Sequence, residues 1–353
     1  MKFDFLLCGS PDDAFYAQFS MFRKSLDALG GAYRDARLVV VFGAGREIPL
    51  PVRWEPYFDR IEIVWADCDE YRRVETFAQS DLRFELIRPG ADVAFICDAD
   101  TLMMSAFPQE FLSEMVRAPF IGAVIAHYPF PIDFAGDDLQ RKSFDSIARA
   151  LTQRWPRVHA TVMRRFPFLR RFLPILPGMH TDDVWEILGR RFLDRSPDMS
   201  FGYTLQPEGQ RLRCPFYINY GFLAGTPSLL ATLYDELRVM QPEIATTVGE
   251  SVGFYGQTAI ALVVDKLGLR RRALPMRFNY PNDPIADQMY PDEMAEIVLL
   301  HYLRTELFDR HRVFSIEKEF ERFLSLDLAG SNRSFQHRAR AITGGAFPFS
   351  RAV

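Results

Sequence analysis

Five short apolar runs, at residues 3–8, 38–42, 61–65, 93–97 and 121–126, punctuate the first third of the chain, with helix-patterned stretches among them. Phe15, Phe19, Phe22, Leu26 and Leu29 fall on one face of a helix expected over 14–29, and Gly30-Gly31 supplies its stop. A second helix is expected over 75–86, ended by Pro89-Gly90. Strands that alternate with helices pair mainly in parallel, because a parallel crossover needs a helix-sized connection that also covers a face of the sheet. The expected fold class is therefore α/β, a mixed, mainly parallel sheet flanked by helices. Further on, 101–104 and 108–115 continue as apolar chain and helix, and 216–224 returns to the sheet. Residues 227–238 and 257–267 read as helices, 297–301 as a late strand and 315–324 as a terminal helix; the tail after Gly330 is expected to be poorly ordered.

Composition removes several function classes. A chain of 353 residues, 48% hydrophobic, can bury a sizeable core. Its formal charge of -4, from 42 Lys and Arg against 46 Asp and Glu, is not that of a polyanion binder, so nucleic acid is not an expected partner. Cys8, Cys68, Cys97 and Cys214 stand far apart without zinc-type spacing, which fits a reducing, cytoplasmic setting. The opening Met1-Lys2-Phe3-Asp4 reads as the start of a strand, not a signal peptide, and no apolar run reaches the ~18 residues of a membrane span.

The character shifts near Pro129. Residues 141–171 carry nine Lys or Arg against Asp145 alone, with aromatic and aliphatic residues interleaved over 164–176. One reading is a helical insertion at about 130–212 with a solvated basic face; the other is a surface for an anionic acceptor or for peripheral contact with anionic lipid.

The strongest chemical signal is Val93-Ala94-Phe95-Ile96-Cys97-Asp98-Ala99-Asp100-Thr101-Leu102, an apolar strand that ends in two acids two residues apart. In extended chain such a pair projects to one side and converges on one hard cation, beyond the carboxyl end of a strand where open α/β sheets bind ligands. Asp67-Cys68-Asp69 repeats the triplet but runs into Glu70, Arg72 and Arg73, a polar stretch able to solvate its charges. Two acids between apolar runs, by contrast, cost several kcal/mol unless a cation accompanies them.

At this point the chain resembles nucleotide-sugar-dependent glycosyltransferases of GT-A type, most closely glycosyltransferase family 8. The resemblance rests on ordered pieces: Cys8-Gly9-Ser10 with Met21-Phe22-Arg23-Lys24-Ser25-Leu26, Ser80-Asp81-Leu82-Arg83-Phe84, and Asp98-Ala99-Asp100. It continues through Tyr217-Ile218-Asn219-Tyr220-Gly221, Gly256-Gln257-Thr258-Ala259, Leu274-Pro275-Met276-Arg277-Phe278-Asn279 and His301-Tyr302. It implies a GT-A-like domain over 1–310, followed by a C-terminal helix and tail over 311–353. It also implies Mn²⁺ or Mg²⁺ held by Asp98, Asp100 and His301; His127, which also ends a strand-like run, is the rival ligand. Donor contacts are implied for Cys8, Gly9, Ser10, Tyr16, Arg83, Ala99 and Gly221; Phe15 or Tyr16 is the candidate for stacking on the base. For Arg83 a helix-surface salt bridge is the alternative. Asn219 would meet sugar hydroxyls and Gln257 would face the reacting sugar, although Gly256 stands where family members often have an acid.

The resulting expectation is metal-dependent transfer of a sugar from a nucleoside-diphosphate sugar, UDP by preference, to a hydroxyl of a glycan, glycolipid or protein. Retention of configuration is expected; inversion needs a carboxylate base, for which Asp182, Asp183, Glu208 and Glu250 are candidates. The alternatives are a sugar-phosphate nucleotidyltransferase, disfavoured by the acidic Gly9-Ser10-Pro11-Asp12-Asp13, and a non-catalytic nucleotide-sugar-binding protein of the same fold.

Overall fold

The computed structural model describes residues 1–43, 46–66, 78–128, 181–206, 212–248 and 255–349. The chain divides into two compact units: Met1–Val124, Tyr220–Ala231 and Leu274–Val353 form the first, and Ile125–Asn219 with Thr232–Ala273 the second. The Asp67-Cys68-Asp69 triplet, the basic segment 164–176 and most of the expected insertion lie outside the described residues.

The first unit begins with β1 (Phe3–Gly9), α1 (Asp13–Leu29), β2 (Arg37–Gly43), β3 (Glu62–Ala66) and β4 (Val93–Cys97). There follow β5 (Thr101–Met103), α2 (Gln109–Arg117), β6 (Ile121–Ala123) and β7 (Phe222–Gly225). Then come β8 (Tyr280–Pro281), β9 (Leu299–His301), α3 (Glu317–Ser325) and α4 (Gly330–Thr343). Its main sheet runs β6-β7-β4-β1-β2-β3, with β4, β1, β2 and β3 parallel and β7 antiparallel to both β4 and β6. The α/β reading thus holds. Strand order reverses direction between β1 and β4, the switch point at which open sheets leave a crevice beyond their carboxyl ends. A smaller sheet, β8-β9-β5, sits at that end of β4 in sequence.

Local rules account for the elements. Asp12 caps α1 by accepting from the Phe15 N–H at 3.1 Å, and Gly30 ends it at a φ of 70°, the left-handed region that favours glycine. Asp4, an acid within an otherwise apolar strand, lies opposite Arg37 and accepts from its Nη1 at 2.9 Å, while the same guanidinium donates to Glu62 on β3. The high aromatic content forms the core. Phe95 stacks on Phe107 at 4.6 Å and on Phe5 at 4.8 Å, and Phe107 lies 5.6 Å from Phe222 and 5.7 Å from Phe278.

Four expectations need correction. Residues Ala78–Leu86 form a 3₁₀ segment, not an α-helix: Leu82, Arg83 and Phe84 are buried in succession, which no single helical stripe allows. The return to the sheet is a strand only over Phe222–Gly225, which pairs with β4, while Ile218 makes a single bridge to Ile125. The helix from Pro227 continues to Val248 through Pro242. Through residue 349 the tail is packed: α4 buries Ser331, Asn332, Phe335, Gln336 and Ala339, and Phe349 packs against Trp54 and Tyr57 at 5.0 and 4.9 Å. Polar anchors that sequence periodicity does not register hold it there, among them Asn282 donating to Asn332 at 3.0 Å and Arg338 donating to the Met103 carbonyl at 3.0 Å.

Phe95 is fully buried at the centre of the ring stack, so Phe95→Ala is expected to cost about 3–5 kcal/mol of unfolding free energy. Urea unfolding monitored by circular dichroism measures this, and a loss below about 1 kcal/mol would contradict the central packing role.

Candidate metal centre

β4 delivers its last residue, Cys97, to the edge of the core, and the next three residues turn the chain into β5. Asp98 and Asp100 therefore sit across a turn, not on the extended chain that the i, i+2 argument assumed. Hydrogen bonds to its backbone groups hold that turn. The Asp98 N–H donates to the Gly221 carbonyl at 3.1 Å, Thr101 Oγ1 donates to the Asp98 carbonyl at 2.7 Å, and the Tyr302 N–H donates to the Asp100 carbonyl at 3.0 Å.

His301 arrives by strand pairing. β9 runs antiparallel to β5 with His301 opposite Thr101, beside Asp100. Its Nε2 donates to Asp100 Oδ1 at 3.1 Å and lies 3.8 Å from Asp98 Oδ2. One ligand atom from each of the three residues falls within 4.8 Å of the others. Side-chain exposure grades from 7% at His301 through 14% at Asp100 to 33% at Asp98, so the cluster opens toward solvent on the Asp98 side.

The other carboxylate oxygens are held by arginines. Arg83 Nη1 donates to Asp98 Oδ1 at 2.8 Å, and Arg310 Nη1 donates to Asp100 Oδ2 at 2.7 Å. Burial alone would raise the Asp100 carboxyl, but His301, by charge and hydrogen bond, and Arg310 outweigh it and hold the group well below the usual carboxylate range. Burial also opposes a charged His301, yet Asp100, with Asp98 behind it, raises the imidazole above its ordinary value.

Two carboxylates and one imidazole nitrogen suit a hard or borderline divalent ion such as Mn²⁺ or Mg²⁺. The donor set fits: Nε2 points at both acids, and each acid keeps one oxygen turned toward it. His301 Nδ1 is buried without a hydrogen-bond partner among the described residues, so strand pairing and Asp100 set the ring's orientation in place of the usual partner on that nitrogen.

The remaining expected site residues divide. Arg83 is neither a surface salt bridge nor open to a donor: fully buried, it bonds Asp98, donates to the Tyr220 carbonyl at 3.3 Å and lies 4.5 Å over the Tyr220 ring. Whatever it does for a ligand passes through Asp98. Tyr16 is 2% exposed, with its ring against Phe42, Trp54 and Phe58, a burial that does not fit stacking on a base. Gly9 is small for packing reasons, since a Cβ there would come within 2.4 Å of the Phe15 ring and 2.8 Å of the Phe19 ring. Cys8 and Ala99 are buried, Ser10 is half-buried, and Gly221 contributes the carbonyl that anchors Asp98.

Asn219 and Gln257 belong to the second unit. There Asn219 Nδ2 donates to His127 Nε2 at 2.8 Å, and His127 Nδ1 lies 2.8 Å from Thr204 Oγ1. Both ring nitrogens of His127 are engaged, which does not fit its reading as the rival metal ligand. The residue that sequence reasoning missed is Arg310. It follows His301 by nine positions in a segment without periodic pattern, and only a scan for basic residues after the histidine would have raised it.

No family model matches the chain, and no curated protein matches it. Among solved structures it is similar to the galactosyltransferase LgtC in complex with donor and acceptor sugar analogs, at 12% identity and a TM-score of 0.47 over 97% of this chain and 96% of that one. It is also similar to mouse xyloside xylosyltransferase 1 in its apo form, at 12% identity and a TM-score of 0.44 over 86% of this chain and 98% of that one. A third likeness is to the bifunctional glycosyltransferase WbbM, at 10% identity and a TM-score of 0.48; it covers 98% of this chain but only 52% of WbbM.

The Asp100–His301 pair sets a pH dependence for the metal-free protein. The raised imidazole contributes stability that is full below the unfolded histidine value and is lost as pH rises through the folded one. The depressed carboxyl contributes stability present above the unfolded aspartate value and lost as pH falls through the folded one. The difference in unfolding free energy between wild type and Asp100→Asn, measured in urea from about pH 3 to pH 9, should therefore be largest between those limits and decline on both sides. A difference that is flat with pH would rule out the pairing.

Proposed function

We propose that this chain is a metal-dependent glycosyltransferase that moves a sugar from a nucleoside-diphosphate sugar, UDP being the expected nucleotide, to an acceptor hydroxyl. The observation that carries the reading is the convergence of Asp98, Asp100 and His301 beyond the carboxyl end of β4, beside the switch point of the sheet. When bound there, a divalent cation supplies Lewis-acid neutralisation of the departing diphosphate.

The chain's own residues account for the rest. Asp98 and Asp100 offer the cation one oxygen each, and their backbones are tied by Gly221, Thr101 and Tyr302, which preorganises the ligands. Arg83 orients Asp98 from beneath. Taken with Arg310, the two acids are already balanced by two guanidinium groups, so a divalent ion leaves the cluster with two positive charges that a diphosphate can offset. That charge state favours a nucleoside diphosphate over a neutral ligand. Retention of configuration, with Gln257 supporting the sugar without acting as the nucleophile and Asn219 meeting its hydroxyls, completes the proposal. A glycan, glycolipid or protein acceptor belongs to it as well.

The test is a thermal-shift panel of UDP, GDP, CMP, dTDP and ADP, each with and without Mn²⁺. A ligand at ~100 times its dissociation constant adds ~2.7 kcal/mol, enough to raise the midpoint of a chain this size by about a degree or two. A shift confined to one nucleoside diphosphate with Mn²⁺ is expected, and Asp100→Ala should abolish both that shift and sugar transfer. Full transfer by Asp100→Ala would sink the mechanism. Release of pyrophosphate from UTP and a sugar phosphate would mark a nucleotidyltransferase instead, and tight UDP-sugar binding without turnover a binding protein.

A further inference from the structure

Arg310 is attached to the candidate metal centre differently from Arg83. Its Nη1 donates to Asp100 Oδ2 at 2.7 Å and to the Leu303 carbonyl at 3.4 Å, and its Nε donates to His311 Nε2 at 3.1 Å. Its own carbonyl accepts from Gln18 Nε2 at 3.2 Å, which ties the backbone to α1 while the side chain stays 29% exposed. Arg83, fully buried and held by the Tyr220 carbonyl and ring, is a fixed part of the core. Arg310 carries a long, partly solvated stem on an anchored backbone, so it can leave Asp100 by side-chain rotation alone.

Electrostatics gives this difference a consequence. With His301 neutral, Asp98, Asp100, Arg83 and Arg310 sum to no net charge, and one oxygen of each acid is already committed to a guanidinium. A divalent cation entering such a site gains less than it would from two unpaired carboxylates, and a cation close to Asp100 repels it directly. An anion bound together with the metal removes that penalty.

We propose that Arg310 is an internal counter-ion that sets metal occupancy. It keeps the affinity for free divalent cation low and makes firm metal binding depend on an anionic ligand of the nucleoside-diphosphate class. The inference rests on the metal-centre reading proposed above and adds to it an order of assembly, in which metal and anion fill the site together. By linkage, each must tighten the other by the same factor.

Isothermal titration of the full chain with Mn²⁺ alone and with Mn²⁺ in saturating UDP tests it, using wild type, Arg310→Gln, Arg310→Lys and Asp98→Asn. UDP should tighten Mn²⁺ binding to wild type by about tenfold or more. Arg310→Gln should tighten binding of Mn²⁺ alone by a similar factor and shrink the enhancement due to UDP, whereas Arg310→Lys, which keeps the charge, should stay close to wild type. Absence of any enhancement by UDP in wild type overturns the inference even if Arg310→Gln does not fold. A folded Arg310→Gln that binds Mn²⁺ no more tightly than wild type also overturns it, and if wild-type binding is lost in Asp98→Asn the metal centre itself stands. No Mn²⁺ binding by any of the proteins, with or without UDP, overturns both the metal centre and the counter-ion.

Discussion

Two carboxylates two residues apart at the end of a buried strand repel each other and lose hydration together, and the architecture around them is arranged to relieve that cost. Arg83 rises from the 3₁₀ segment beneath Asp98, Arg310 approaches Asp100 from the loop after β9, and His301 closes the gap between the acids. No single element of the first unit supplies all of these. The two acids come from one turn, but their partners lie 15, 201 and 210 positions away in sequence. The cluster exists only because the sheet, its small companion sheet and the C-terminal region are assembled together.

The rest of the first unit supplies the rigidity that such a cluster needs. The stacked rings of Phe5, Phe95, Phe107, Phe222 and Phe278 hold β1, β4 and β7 together just below the acids, where close packing leaves little freedom for the turn above. The pairing of β9 with β5 then fixes His301 opposite Thr101, and a slip by one residue would turn its ring to the other face. The C-terminal helices belong to the same framework. Arg338 bonds the Met103 carbonyl, and Phe335 packs against Tyr302 at 4.7 Å, the residue next to His301. A segment that reads as a loose end is therefore part of what steadies the histidine.

Much of this was legible in the sequence because it is written in local pattern. Apolar runs marked β1 to β4, the stripe of Phe15, Phe19, Phe22 and Leu26 marked α1, and Asp98-Ala99-Asp100 stood out as acids where apolar chain should continue. Arg83 and Gly9 were implied as donor contacts by their place in ordered motifs, and Tyr16 as a ring able to stack on a base. The structure gives all three packing tasks: a buried ion pair, an aromatic cluster, and clearance for the rings of Phe15 and Phe19. Side chains that serve a core and side chains that serve a ligand can be the same residue types at the same spacing, and burial alone separates them.

The sequence by itself determined the α/β class, the strands of the parallel sheet and the pair of acids, which depend on periodicity and residue chemistry within short stretches of chain; His301 was singled out only through the family resemblance. Tertiary structure alone decided that the acids meet across a turn, that His127 is engaged by Asn219 and Thr204 in the second unit, and that Arg310 stands on Asp100. Each of those outcomes is a contact between residues distant in the chain. Such contacts are selected by which buried charges and rings can be satisfied at once, and no window of sequence contains that condition.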